Sequence, residues 1–115
     1  MLKWHKMTPF PTSYCLATAE ELESWCKKRK FTVPQQDSTA LGGMTSFGSH
    51  IFVVVKPSQK HWEMVDTLIH ESVHVFQRAM DYIGEDESGI EAEAYHIATI
   101  STNLLRDYQK KHGNG

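Results

Sequence analysis

The sequence predicts an α+β domain: three helices, with a small β-sheet or hairpin ahead of the second. Three observations carry that expectation. The second half of the chain repeats apolar residues every three or four positions, the period of a helix lying on a core. His50-Ile51-Phe52-Val53-Val54-Val55 is a run of β-branched and aromatic residues closed by Pro57, which reads as a strand. Two pairs, Thr18 with Glu21 and Ser88 with Glu91, have the capping-box spacing that opens a helix. With 115 residues, no internal repeat and no long linker, residues 1–115 are expected to form one domain.

The elements follow in order. Residues 1–16, broken by Pro9 and Pro11, read as an irregular N-terminal segment. The Thr18 box starts a helix over 19–30, with Leu22, Trp25 and Cys26 on its buried stripe. Pro34 and the polar run 35–38 make a loop. A short strand over 39–45 is interrupted by Gly42-Gly43, which predicts a bulge or the close approach of another backbone. Ser46-Phe47-Gly48 then turns the chain into the strand 49–55. Ser58 caps a long helix over 59–83, in which Trp62, Val65, Ile69, Val73, Phe76, Met80 and Ile83 recur at helical spacing and Gly84 is the stop. After the acidic 85–87, the Ser88 box starts a last helix reaching about 108, with Ile90, Ala94, Ile97, Ser101, Leu104 and Leu105 facing inward. Residues 110–115 are expected to fray.

Charge and composition narrow the function. A net charge of −2 leaves no electrostatic footprint for nucleic acid or an anionic membrane, and no apolar stretch approaches the length of a membrane span. Residues 1–6 are charged and lack the apolar core of a signal peptide. Cys15 and Cys26 have no metal-cluster spacing, so reduced thiols in a cytoplasmic protein are expected.

Of seven histidines, only His70 and His74 have ligand spacing, in His70-Glu71-Ser72-Val73-His74. Residues i and i+4 share a helix face, so both imidazoles can address one metal ion. Glu71 lies about 100° round the helix from His70, beside the metal, where it can hold a water. Two ligands with open positions suit a Zn2+ ion that activates water. A third ligand is sought on the last helix, where Glu91 and Glu93 lie on opposite shoulders of the apolar face. Glu91 shares its side with Ala94 and Ala98, small residues that permit close helix contact, and is preferred to Glu93. As the third residue of the Ser88 box it could instead simply cap.

His-Glu-x-x-His followed by Glu91-Ala92-Glu93-Ala94, a Glu-x-x-Ala match, resembles the zincin superfamily of zinc-dependent peptidases in its glutamate-ligand, gluzincin-like branch. The resemblance covers about residues 51–105. It implies a minimal zincin-like metallopeptidase domain with His70, His74 and Glu91 on Zn2+, Glu71 as general base, and a peptide or protein as substrate. The strand 51–55 is the expected place for main-chain pairing with that substrate. Tyr95, His96 and His50 are the candidates for a second donor to the oxyanion. The family pattern continues with Asp or Asn where this chain has Tyr95, a residue that would brace a ligand histidine; Asp66, one turn before His70, is the substitute considered. The rival readings are a zinc-containing binding or regulatory module without proteolysis, and a helical interaction protein without metal.

Overall fold

The computed structural model describes residues 2–35, 40–57 and 59–112; the loop residues 36–38, the strand start at Thr39, the Ser58 cap and the tail 113–115 lie outside the described residues. The elements are β1 (His5–Lys6), β2 (Ser13–Ala17), α1 (Ala19–Lys28), β3 (Gly42–Phe47), β4 (His50–Val55), α2 (His61–Tyr82) and α3 (Ile90–His112). Among the described residues, three helices and a four-stranded sheet make the fold α+β, as the sequence predicts. No helix among the described residues is long and apolar enough to cross a membrane.

The sheet order is β1-β2-β4-β3, with β2 parallel to β4 and the other pairs antiparallel. The N-terminal segment is therefore not irregular, and β2 is an inner strand. It escapes a pattern search because both of its faces are covered: Tyr14 and Leu16 pack on one side, Cys15 and Ala17 on the other. A strand covered on both faces shows an apolar run without alternation. Pro9 and Pro11 fall in the connection between β1 and β2, where Thr8–Pro9 is cis.

Two cores result. On one face Leu16, Ile51 and Val53 meet Met64, Leu68 and Val75 of α2 and Ile100 and Leu104 of α3. On the other, Cys15 and Phe52 meet Leu22, Trp25 and Cys26 of α1, the stripe its sequence predicts. The Thr18 capping box is present in both directions, with Glu21 N–H donating to Thr18 Oγ1 at 3.1 Å and Thr18 N–H donating to Glu21 Oε1 at 2.9 Å. The helix ends two residues earlier than predicted, at Lys28, because Lys30 turns into the left-handed region at φ 61°.

The β3–β4 hairpin keeps continuous register from Gly42 opposite Val55 to Phe47 opposite His50, so there is no bulge. Gly48, at φ 60°, supplies the positive φ its two-residue turn requires. The other expectation for the glycines is met in altered form, by a side chain rather than a backbone. A Cβ on Gly42 would lie 2.6 Å from Thr67 Cγ2 and 3.2 Å from Val55 Cγ1, whereas one on Gly43 would meet nothing within 4 Å.

α2 begins at His61, with Lys60 N–H donating to Glu63 Oε1 at 3.0 Å, and stops where Gly84 takes φ 76°. Its buried face overlaps the predicted stripe in part: Phe76 and Met80 are buried as expected, but Trp62 is 76% exposed, Ile69 and Ile83 are also exposed, and Met64, Leu68, Glu71, Ser72, Val75 and Ala79 are buried instead. The large apolar residues favour one stripe, but the helix has two neighbours, and the sheet accepts a flank of smaller and polar residues. α3 starts at Ile90 without the predicted capping box, and Ile90, expected to face inward, is 84% exposed. Its inner face begins at Ile97. Its far flank is tied to the N-terminal strands by Asn103 Nδ2 donating to the Tyr14 hydroxyl at 2.8 Å and by the His5–Asp107 pair at 2.7 Å. Residues 110–112, expected to fray, remain helical, and Lys111 Nζ reaches Glu21 Oε1 at 2.7 Å.

Two outcomes follow. Gly42→Ala should destabilise by about 1–3 kcal/mol, the cost of overpacking, and Gly43→Ala should change stability much less, as urea titrations will show. Burial alone would raise the Glu21 carboxyl, but hydrogen bonds from Lys111 and the Thr18 amide outweigh it and hold it at about 2. That is below the unfolded value of about 4.3, so its stabilisation is complete above that pH and is lost as pH falls toward 2. Glu21→Gln should cost about 1 kcal/mol at pH 7 and flatten the acid limb of thermal stability between about pH 5 and 2.

Candidate metal centre

α2 carries the centre because it is continuous through the pentapeptide, so the i and i+4 imidazoles stand one above the other. The rings of His70 and His74 are 4.8 Å apart between centroids, and their Nε2 atoms face each other at 3.1 Å. Tetrahedral coordination at about 2.0–2.1 Å would separate two nitrogens by roughly 3.3 Å, so the spacing suits a shared ion. His74 Nδ1 lies 3.1 Å from Gln77 Oε1, an acceptor that favours the tautomer with the proton on Nδ1 and the lone pair on Nε2, the atom turned toward His70. Asp66, considered for this bracing role, makes no hydrogen bond to either histidine among the described residues; Gln77, three residues after His74, takes the role on the same helix.

Glu71 is 5% exposed and lies against the sheet, its Oε2 3.4 Å from where a Cβ on Gly42 would stand. Burial pushes its carboxyl up, and the neighbouring His74 and His70 partly offset the shift. Neither carboxylate oxygen has a hydrogen-bond partner among the described residues, yet no buried polar atom there is unsatisfied, so these oxygens keep contact with solvent. A carboxylate raised in this way is suited to exchanging a proton.

The flank that bears the histidines faces β3. Round the helix His74 lies about 20° from Thr67 and about 40° from Arg78. Both of those side chains are tied to that part of the sheet. Thr67 Oγ1 donates to Gln59 Oε1 at 2.7 Å, and Gln59 Nε2 in turn donates to the carbonyls of Leu41 at 2.8 Å and Lys56 at 2.9 Å. Arg78 Nε donates to Ser46 Oγ at 2.7 Å. β3 is thus pinned at both ends beside the histidine pair. It is also the sheet edge, and no strand among the described residues pairs with its outer side. This corrects the expectation for the strand 51–55: β4 is inside the sheet, bonded to β2 and β3, and has no free edge.

α3 does not complete the site. It packs on the other side of α2, with Ser72 Oγ and Ser101 Oγ 2.8 Å apart and Phe76 stacked on His96 at 5.7 Å. Ser72 is about 200° round the helix from each histidine. α2 also continues two turns beyond His74, so antiparallel α3 returns with its residues near 97–101 level with the pentapeptide. Glu91 is ten residues before Ser101, about 15 Å along the axis. Glu91 and Glu93 are both exposed, and so are Ala94 and Ala98, which were expected to admit a close helix contact. No group of three His, Cys, Asp or Glu side chains is poised for a metal among the described residues. The structure supplies the α2 donors and leaves Glu91 apart from them.

The three candidate oxyanion donors also lie elsewhere. Tyr95 is 69% exposed, His96 stacks on Phe76 and meets Phe10 edge-on, and His50 sits with Trp4 and Trp25 across the sheet. Both cysteines are free and buried; burial, with Glu21 nearby, pushes Cys15 up to about 12, so neither position offers a thiolate donor. Gln59, Gln77 and Arg78 were missed in the sequence. Only Gln77 had a local signal, its spacing of three from His74. The sequence matches no protein-family profile, no curated protein and no solved structure.

A zinc titration monitored by calorimetry should reach one ion per chain, be lost in His74→Ala, and weaken about 10-fold or more in Gln77→Ala. Glu91→Ala and Glu93→Ala should leave the affinity near the parent value.

Proposed function

We propose that this protein is a small zinc-dependent hydrolase, a metallopeptidase that cleaves an extended peptide or protein segment lying along β3. One observation supports this reading above the others: the Nε2 atoms of His70 and His74 face each other at 3.1 Å, with the buried Glu71 carboxylate between them in sequence and alongside them a strand edge that no strand among the described residues pairs with. His70 and His74 would hold the ion, which when bound supplies a Lewis acid for water and carbonyl oxygen.

The remaining steps belong to the chain itself. The outer N–H and C=O groups of β3 bind an extended segment by main-chain pairing, with alternate side chains turned toward α2. Glu71 accepts a proton from the attacking water and carries it to the leaving amine. Its position against Gly42 restricts the carboxylate to the β3 side of the helix, where the paired segment lies. The charge of −2 gives no reason to invoke nucleic acid, and a cytoplasmic location with reduced Cys15 and Cys26 belongs to the same proposal.

A second reading is favoured by the displacement of Glu91. A zincin-like binding or regulatory module without proteolysis does not need the Glu71 carboxylate. The two readings diverge in Glu71→Gln. If the protein is a hydrolase, this variant should fold and bind zinc like the parent and lose at least about 10²-fold in peptide cleavage. Matched zinc-loaded samples with chelator controls will measure it. Equal cleavage by both proteins would remove Glu71 from the chemistry, and cleavage by neither across a broad peptide panel would support the module.

A further inference from the structure

Arg78 stands one helical turn beyond His74 on the same flank of α2. It is half-buried, and its Nε is anchored on Ser46 Oγ of the edge strand at 2.7 Å. Among the described residues it pairs with no carboxylate, and its terminal N–H groups have no acceptor. An arginine used only as a clamp would need no more than the Nε contact. Here the clamp engages Nε alone, so the terminal N–H groups remain donors without a protein acceptor among the described residues, held beside the edge strand. A planar fork held in this way matches a carboxylate in bidentate geometry, which an ammonium does not.

We infer that Arg78 is a specificity-determining residue that binds a carboxylate of the substrate. The inference rests on the hydrolase reading and deepens it. Four residues of helix place Arg78 about 6 Å past His74, and an extended segment advances about 3.3 Å per residue. The carboxylate therefore lies about two residues from the bond that is cleaved. It belongs either to an Asp or Glu side chain or to the C-terminus of the substrate, and both offer the same pair of oxygens.

The test uses fluorescein-labelled octapeptides rich in Val, Thr and Ala, with one Glu or a matched Gln moved through the sequence, each made as C-terminal acid and as amide. Binding is read by anisotropy on metal-free and zinc-loaded Glu71→Gln protein, and cleavage is read on the zinc-loaded parent. Peptides with the carboxylate in one position should bind at least about 10-fold tighter than their neutral partners. Preference for Glu over Gln among amides identifies a side chain, and preference for acid over amide among Gln peptides identifies the C-terminus. Arg78→Gln and Arg78→Lys should each reduce the preference. Ser46→Ala, which releases the clamp and leaves the guanidinium, should retain a measurable preference, so loss of packing is separated from loss of recognition. Binding or cleavage that ignores the carboxylate, or a preference unchanged in Arg78→Gln, overturns the role of Arg78 and leaves the hydrolase reading intact. Absence of binding and cleavage for every peptide overturns both.

Discussion

The closeness of α2 to the edge strand β3 is the constraint on which the site depends. It is possible because position 42 has no side chain: Thr67 Cγ2 occupies the space that a Cβ would need. The methyl of one threonine and the missing Cβ of one glycine set the distance between helix and strand, and that distance places Glu71 under the sheet edge instead of in solvent. The polar contacts on either side hold the arrangement. Gln59 links Thr67 to the carbonyls of Leu41 and Lys56, and Arg78 holds Ser46. Each is modest as a single hydrogen bond, but together they fix both ends of the strand against the helix.

α2 serves two neighbours with different needs, which explains the composition of its faces. Toward the sheet it presents Met64, Leu68 and Val75 in the core, with Thr67 and Glu71 at the margin. Toward α3 it presents Ser72 and Phe76, where a serine pair replaces bulk and lets the helices meet. The histidines stand at the margin of the flank that faces β3, beyond Thr67, where His70 is exposed and His74 half-buried. Their solvent access follows from that geometry, and so does the separation of Glu91 from them. α3 is committed to β1 and β2 through Asn103–Tyr14 and His5–Asp107, on the side of α2 away from β3.

Charge is distributed in keeping with this division. The Glu21–Lys111 pair joins the start of α1 to the end of α3, and so links the layers on the two sides of the sheet. Among the described residues Glu71 forms no such ion pair, and burial, only partly offset by His74 and His70, moves it in the opposite sense. One carboxylate is held as an ion by its cationic partner and the other is drawn toward its neutral form by burial.

The sequence by itself determined what depends on neighbours within a turn or a pleat. The Thr18 capping box, the strand ended by Pro57, the stop at Gly84 and the facing imidazoles of His70 and His74 all follow from spacing of four residues or fewer, or from single-residue backbone preferences. β2 was illegible because a strand buried on both faces has no alternation to read. The end of α3 was misread as frayed because the partner of Lys111 lies ninety residues away in the sequence. Only the tertiary structure decided which strand is the edge, which flank of α2 meets β3, and that Glu91 returns about 15 Å too far along its helix. Those outcomes are set by helix lengths, by packing angles and by one missing Cβ at Gly42, and each relates residues whose local patterns carry no information about one another.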